Sequence, residues 1–137
     1  MDRHHRESLW VDLVNIKHLE LTLDTRNPRH IDSYLKYFLR HVCRLIGACA
    51  SLEKLVIKFK PSSYYSYVLE TETHDEPGRG LPIKYLEITG YAGSTFDREL
   101  AFYVINNATA LQKLTVKPSN KEALDRARHD FRHIIVF

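Results

Sequence analysis

Apolar and polar positions alternate in nearly the same spelling along four short stretches of this chain: IKHLELTL (16–23), LEKLVIKF (52–59), IKYLEITG (83–90) and LQKLTVKP (111–118). Each runs apolar, two polar or amphipathic residues, Leu, one variable residue, apolar, one variable residue. Alternate side chains of a strand share a face, so the spelling predicts strands over 16–24, 52–59, 83–89 and 111–117. Their inward sets are Leu19, Leu21 and Leu23; Leu55, Ile57 and Phe59; Leu86 and Ile88; Leu114 and Val116. The anchor leucines Leu19, Leu55, Leu86 and Leu114 are spaced by 36, 31 and 28 residues. That is a repeat, and one such unit is too small to bury its apolar face without a stacked neighbour.

Between the strands the period changes. From Ile31 to Ala50 apolar residues recur every three or four positions (Ile31, Leu35, Phe38, Leu39, Val42, Leu45, Ile46, Cys49), which predicts an amphipathic helix with Lys36, Arg40 and Arg44 on its solvated side. A second helix runs from Ser94 or Thr95 to Ala108, with Thr95 as candidate cap, Asp97 and Glu99 in the favourable first turn, and Leu100, Ala101, Val104, Ile105 and Ala108 inward. A third, about 121–131, starts at Ser119 or Asn120 and turns Leu124, Ala127 and Phe131 inward. The closing run 133–137 is β-prone. Strands alternating with helices imply parallel pairing with helical crossovers on one face. The expected fold is therefore an α/β, leucine-rich-repeat-like array of about four irregular units.

The remaining stretches organise around this array. Residues 1–8 read as a polar leader and 9–137 as one domain, which suits a length of 137 residues. Trp10 and its apolar neighbours either cap the first edge or mark the chain as the tail of a longer array. Thr25-Arg26-Asn27-Pro28 is a turn. Residues 60–80 form a long insertion between Pro61 and Pro77-Gly78-Arg79-Gly80, with a short extra strand around Tyr65 to Leu69.

Composition excludes more than it assigns. An apolar fraction of 44% with 27% charged residues describes a folded domain, and a net charge of +3 is a mildly basic surface rather than a nucleic-acid footprint. Cys43 and Cys49 match no zinc or redox spacing and read as buried thiols of a reducing compartment. No stretch approaches the roughly 18 apolar residues of a membrane span. His4 and His5 with Glu7, the cluster Glu70, Glu72, His74, Asp75 and Glu76, and the pair His129 and His133 lack the ligand number or spacing of a metal site, so no metal or cofactor is expected. No nucleophile and base pair, carboxylate pair or glycine-rich phosphate loop is legible, and an enzyme is not expected.

The candidate site follows from the alternation. With the strands parallel, outward residues stack into three rows: His18, Lys54, Tyr85, Lys113; Glu20, Val56, Glu87, Thr115; and Thr22, Lys58, Thr89, Lys117. Tyr85 between two lysines is the best anchor, because aromatic and cationic residues dominate interface energies. The partner-binding candidates are His18, Lys54, Val56, Lys58, Tyr85, Glu87, Lys113 and Thr115. The ordinary alternative is a solvated sheet face. A runner-up use of the same lysines with Tyr85 as stacking platform is nucleic-acid binding, whose affinity falls steeply with salt.

The segment IKYLEITGYAGSTFDRELAFYVINNATALQKLTVKPSN, with the Arg-rich helix after it, resembles the FBD region that ends plant F-box/leucine-rich-repeat proteins. The features carrying the likeness are the strand followed by Gly90, the helix with Glu99-Leu100 and its Asn-Ala ending at 107–108, and the ALQKLTV strand. LVNIKHLELTLD and SLEKLVIKF resemble the repeats that precede that region. The resemblance implies recruitment of a protein target for ubiquitination, in the cytoplasm or nucleus. No F-box, the helical segment that docks on the ligase adaptor, is read in this sequence. Direct adaptor binding is therefore not expected, and the family role reduces to a target-binding half; a truncated relative with no retained partner is the remaining alternative.

Overall fold

A computed structural model of the chain describes residues 13–24, 31–60 and 80–134, with the backbone alone for 31–35. Four strands, β1 (His18–Leu23), β2 (Lys54–Phe59), β3 (Tyr85–Tyr91) and β4 (Lys113–Pro118), form one sheet in sequence order. Every pairing is parallel. Helix α1 (Ile31–Ala48) follows β1, α2 (Thr95–Asn107) follows β3 and α3 (Lys121–Asp130) follows β4. The expected α/β array is the observed fold. The leader, Trp10, the turn at 25–28, the insertion with its extra strand and acidic cluster, and residues 135–137 lie outside the described residues.

The anchor leucines fall in one line across the sheet, Leu19 against Leu55, Leu55 against Leu86 and Leu86 against Leu114. The next inward row is Leu21, Ile57, Ile88 and Val116. Leu55, Ile57, Leu86 and Ile88, in the two central strands, are buried, whereas Leu19, Leu21, Leu114 and Val116 at the edges are partly covered. Burying one such side chain contributes about 1.5–3 kcal/mol, so the central strands carry most of the sheet's hydrophobic stabilisation. Onto this face pack Leu39, Val42, Cys43 and Ile46 of α1 and Phe96, Leu100, Ala101 and Val104 of α2. Phe96 ties the layers together: its ring stacks on Phe38 of α1 at 5.6 Å between centroids and meets Phe59 of β2 edge-on at 6.3 Å.

The strands begin two residues later than the alternation predicts. The leading apolar residue of each repeat lies before its strand, and three of the four close a turn: Ile16 N–H donates to Leu13 (3.2 Å), Leu52 to Cys49 (3.1 Å) and Leu111 to Ala108 (3.1 Å). Leu52 and Ile83 are fully buried there, which explains why an apolar residue is required outside the ladder. Immediately afterwards a hydrogen-bond pattern repeats three times. Lys17 C=O accepts from Glu53 and Lys54 N–H, Glu53 C=O from Lys84 and Tyr85, and Lys84 C=O from Gln112 and Lys113. β2, β3 and β4 are thus each pinned at the first residue by the carbonyl just ahead of the preceding strand.

Two helix starts refine the sequence reading. The cap of α2 is Ser94 rather than Thr95: its hydroxyl accepts from Asp97 N–H at 3.3 Å, while Asp97 accepts Ala92 N–H at 2.9 Å. Asp97 thus stands where a capping box has its Glu, but its bond reaches past the cap to Ala92. Asp97 is 4% exposed and not a solvent-facing dipole partner. In α3 Asn120 caps by accepting from Ala123 N–H at 2.8 Å, and the buried residues are Ala123 and Ala127, with Leu124 half-covered and Phe131 buried just beyond the helix. Arg132 to Ile134 form turns, so the described part of the closing run is not a strand.

Gly90 sits at φ +75°, where β3 and β4 slip out of register between Thr89 and Tyr91. A side chain there would strike the Phe59 carbonyl oxygen, so strand crowding and left-handed backbone both demand glycine.

Candidate interaction face

The helices cover one side of the sheet, and the outward residues of the other side fall into the three rows expected. His18 pairs with Lys54, Lys54 with Tyr85 and Tyr85 with Lys113. Glu20, Val56, Glu87 and Thr115 form the second row and Thr22, Lys58, Thr89 and Lys117 the third. All of the first row is exposed, Tyr85 by 42%.

The second and third rows neutralise each other. Lys58 of β2 forms a hydrogen-bonded ion pair with Glu20 of β1, and Lys117 of β4 lies 4.0 Å from Glu87 of β3. The hydrogen bond and charge of Lys58 hold the Glu20 carboxyl below its ordinary value, and Glu20 raises Lys58 in return. Between the two glutamates Val56 is only 5% exposed, although it points away from the helices. It forms the floor of this face. Thr115 and Glu87 are half-buried beside it.

Among the described residues the first row has no such compensation. Lys54 lies near enough to Glu20 to help hold its carboxyl low, yet the ion pair is made by Lys58. Neither Lys54 nor Lys113 is ion-paired to a described residue, and the nearest neighbouring pair, Lys84 with Glu53 at 3.6 Å, is one residue upstream. The three repeated bonds from the carbonyls of Lys17, Glu53 and Lys84 end on the amides of Lys54, Tyr85 and Lys113 themselves. The backbone of each of these residues is therefore tied, with the residue before it, to one carbonyl of the neighbouring repeat. An exposed aromatic ring flanked by cations, on such a support, can hold an acidic or aromatic group with little loss of order on binding.

A second feature escaped the sequence reading. A cavity of about 420 Å³ lies between α2 and the end of α3, lined by Arg98, Phe102, His129, Asp130, Arg132 and His133 among others. One lining residue, Asp130, accepts at Oδ2 from the Tyr91 hydroxyl at 2.7 Å, and the Tyr91 ring packs on Phe131 at 5.1 Å. Burial and the Asp130 carboxylate push the Tyr91 hydroxyl far above its ordinary value, so it stays a donor. Arg126 donates to Ala92 C=O at 2.6 Å and lies 3.7 Å from Glu122, which closes the side of the loop. His129 and His133 share Arg132 as their hydrogen-bond partner. The helix ends at Asp130, so the two histidines do not form a helical pair. Nothing in the sequence signalled the Tyr91 to Asp130 bond, which joins residues 39 apart.

Comparison with known proteins then adds one finding. Residues 82–116 match the family model described as FBD. The matched segment spans β3, α2 and most of β4, and thus includes Tyr85, Glu87, Lys113 and Thr115 of the exposed face. It accounts for the FBD part of the sequence resemblance over about a quarter of the chain. No curated protein and no solved structure matches the chain.

Proposed function

We propose that this chain is a non-enzymatic protein-interaction module whose contact surface is the open face of its sheet, centred on Tyr85. The observation that carries this reading is the row His18, Lys54, Tyr85, Lys113, without an ion pair among the described residues, held in register by paired backbone bonds and half contained in the FBD-matching segment. Together with the sequence resemblance it supports a role as the target-recruiting part of an SCF-type F-box protein of plants, acting in the cytoplasm or nucleus. In that role the adaptor is reached through an F-box and not through the sheet.

Nucleic acid has less support on this face, because two of the four lysines that it would need, Lys58 and Lys117, already lie against glutamates. The test uses the full chain as bait in plant extract, beside Tyr85→Ala and Lys54→Ala variants, with captured proteins read by mass spectrometry and captured nucleic acid by staining. The expected result is a protein partner whose recovery drops at least fivefold in Tyr85→Ala. Interactions all indifferent to both substitutions would sink the open-face reading, and nucleic acid released by moderate salt would put the polyanion in its place.

A further inference from the structure

We infer that the row His18, Lys54, Tyr85, Lys113 takes an acidic, extended segment of a partner protein laid across the strands, with carboxylates three residues apart. This rests on the open-face reading above and names the chemistry of its partner. Neighbouring strands lie about 4.8 Å apart, so Lys54 and Lys113, on either side of β3, stand on the order of 10 Å apart with Tyr85 between them.

That spacing selects among backbones. In a polyproline II segment residues i and i+3 share a face and are separated by about 9.3 Å. Two carboxylates at i and i+3 would reach Lys54 and Lys113 together, with the backbone between them passing over the Tyr85 ring. A β-strand places i and i+3 on opposite faces, and an α-helix spans the same distance only at about i+7. A ligand that crosses the strands also makes no demand on the sheet's backbone groups, which are already bonded within it.

Charge singles out this row from the rest of the face. Every acidic residue on the three rows, Glu20 and Glu87, is engaged by a third-row lysine, so an incoming carboxylate meets two ammonium groups that make no ion pair among the described residues, and the exposed His18. Lower on the face the same carboxylate would have to displace Glu20 from Lys58 or Glu87 from Lys117. The acidic group is thus directed to one edge of the face.

The probe is a fluorescein-labelled ten-residue proline-rich peptide with glutamates at i and i+3, read by anisotropy with the full chain at low salt. Controls are a Glu→Gln peptide and one with the second glutamate moved to i+4. Expected are at least tenfold weaker binding of the Gln peptide, at least tenfold loss in Lys54→Glu/Lys113→Glu, and about fivefold loss in Tyr85→Ala. A thermal melt of each variant confirms the fold. Salt raised tenfold should weaken the peptide several-fold, far less than a single-stranded oligonucleotide that releases condensed counterions.

Equal binding of the Glu and Gln peptides, indifference to the double charge reversal, or a preference for the i+4 peptide would overturn the inference. So would tighter binding of the oligonucleotide, or a concentration-dependent dimer of the chain that excludes the peptide. If the peptide fails while Tyr85→Ala still removes the captured partner, the acidic-segment inference falls and the open-face reading stands. If the peptide binds as expected but capture from extract ignores Tyr85, the row is a peptide site and the open-face reading of the natural partner falls.

Discussion

At the scale of single residues, the sharpest departure from expectation is Asp97. Read from the sequence it is an acid near a helix N-terminus; in the fold it is buried in the bend between β3 and α2, accepting backbone N–H groups. Burial raises its carboxyl above the ordinary value of 3.8, and the N–H donors of the bend oppose that only in part. The native state therefore keeps a proton that the unfolded chain has already released. Stability contributed by this group is present below the ordinary carboxyl range and is lost as pH rises through the raised value. Denaturant unfolding of the wild type and of Asp97→Asn across this range gives the check. The difference in stability between them should shift against the wild type with rising pH and then level off. A constant difference would mean that the bend's N–H donors fully offset burial. The absolute cost of Asp97→Asn is expected at about 1–2 kcal/mol, because an amide NH2 then faces backbone donors.

Among elements, the sheet shows that equal spelling does not mean equal energy. Leu21 and Ile57 occupy the same row and the same place in their repeats, yet Ile57 is fully buried under α1 and α2 while Leu21, on the edge strand, is half-covered. Truncation to Ala removes transfer energy and leaves a cavity whose cost depends on how well the site is enclosed. Ile57→Ala should cost roughly 3–5 kcal/mol and Leu21→Ala roughly 1–2 kcal/mol, read as a shift in denaturant midpoint at constant slope. Equal losses would place β1 as deep in the core as β2. The strands, their order and their rows were legible because a period of two and a repeated leucine are local signals. The burial of Val56 was not legible for the opposite reason: it sits between Glu20 and Glu87 of the neighbouring strands, 36 and 31 residues away in sequence. The Ser94 cap differed from the expected Thr95 because both residue types cap well and only the fold decides the helix's first turn.

For the whole molecule, the architecture is close to one-dimensional. Each strand is bonded to the next through the same paired amides, and the carbonyls of Lys17, Glu53 and Lys84 repeat the join three times. In such an array stability is approximately a sum of unit and nearest-neighbour terms, and opening starts where a unit has one neighbour. β2 and β3 have neighbours on both sides, whereas β1 and β4 end the sheet among the described residues. The second half holds extra ties, since Tyr91 is bonded to Asp130 and Arg126 to Ala92, so α3 is locked to the end of β3. Native-state hydrogen exchange should therefore give a graded order. Amides of Leu55 to Ile57 and Leu86 to Ile88 should exchange last, those of β4 next, and those of β1 first, with free energies of opening falling accordingly. The order bears on the interaction face, because Lys54 and Tyr85 stand on the slowest strands while His18 stands on the fastest. A ligand that grips Tyr85 with Lys54 and Lys113 would then meet a preformed support and slow exchange in β4 without needing β1. Uniform protection across all four strands would instead describe a single cooperative unit, in which the first strand is as much a part of the platform as the central pair.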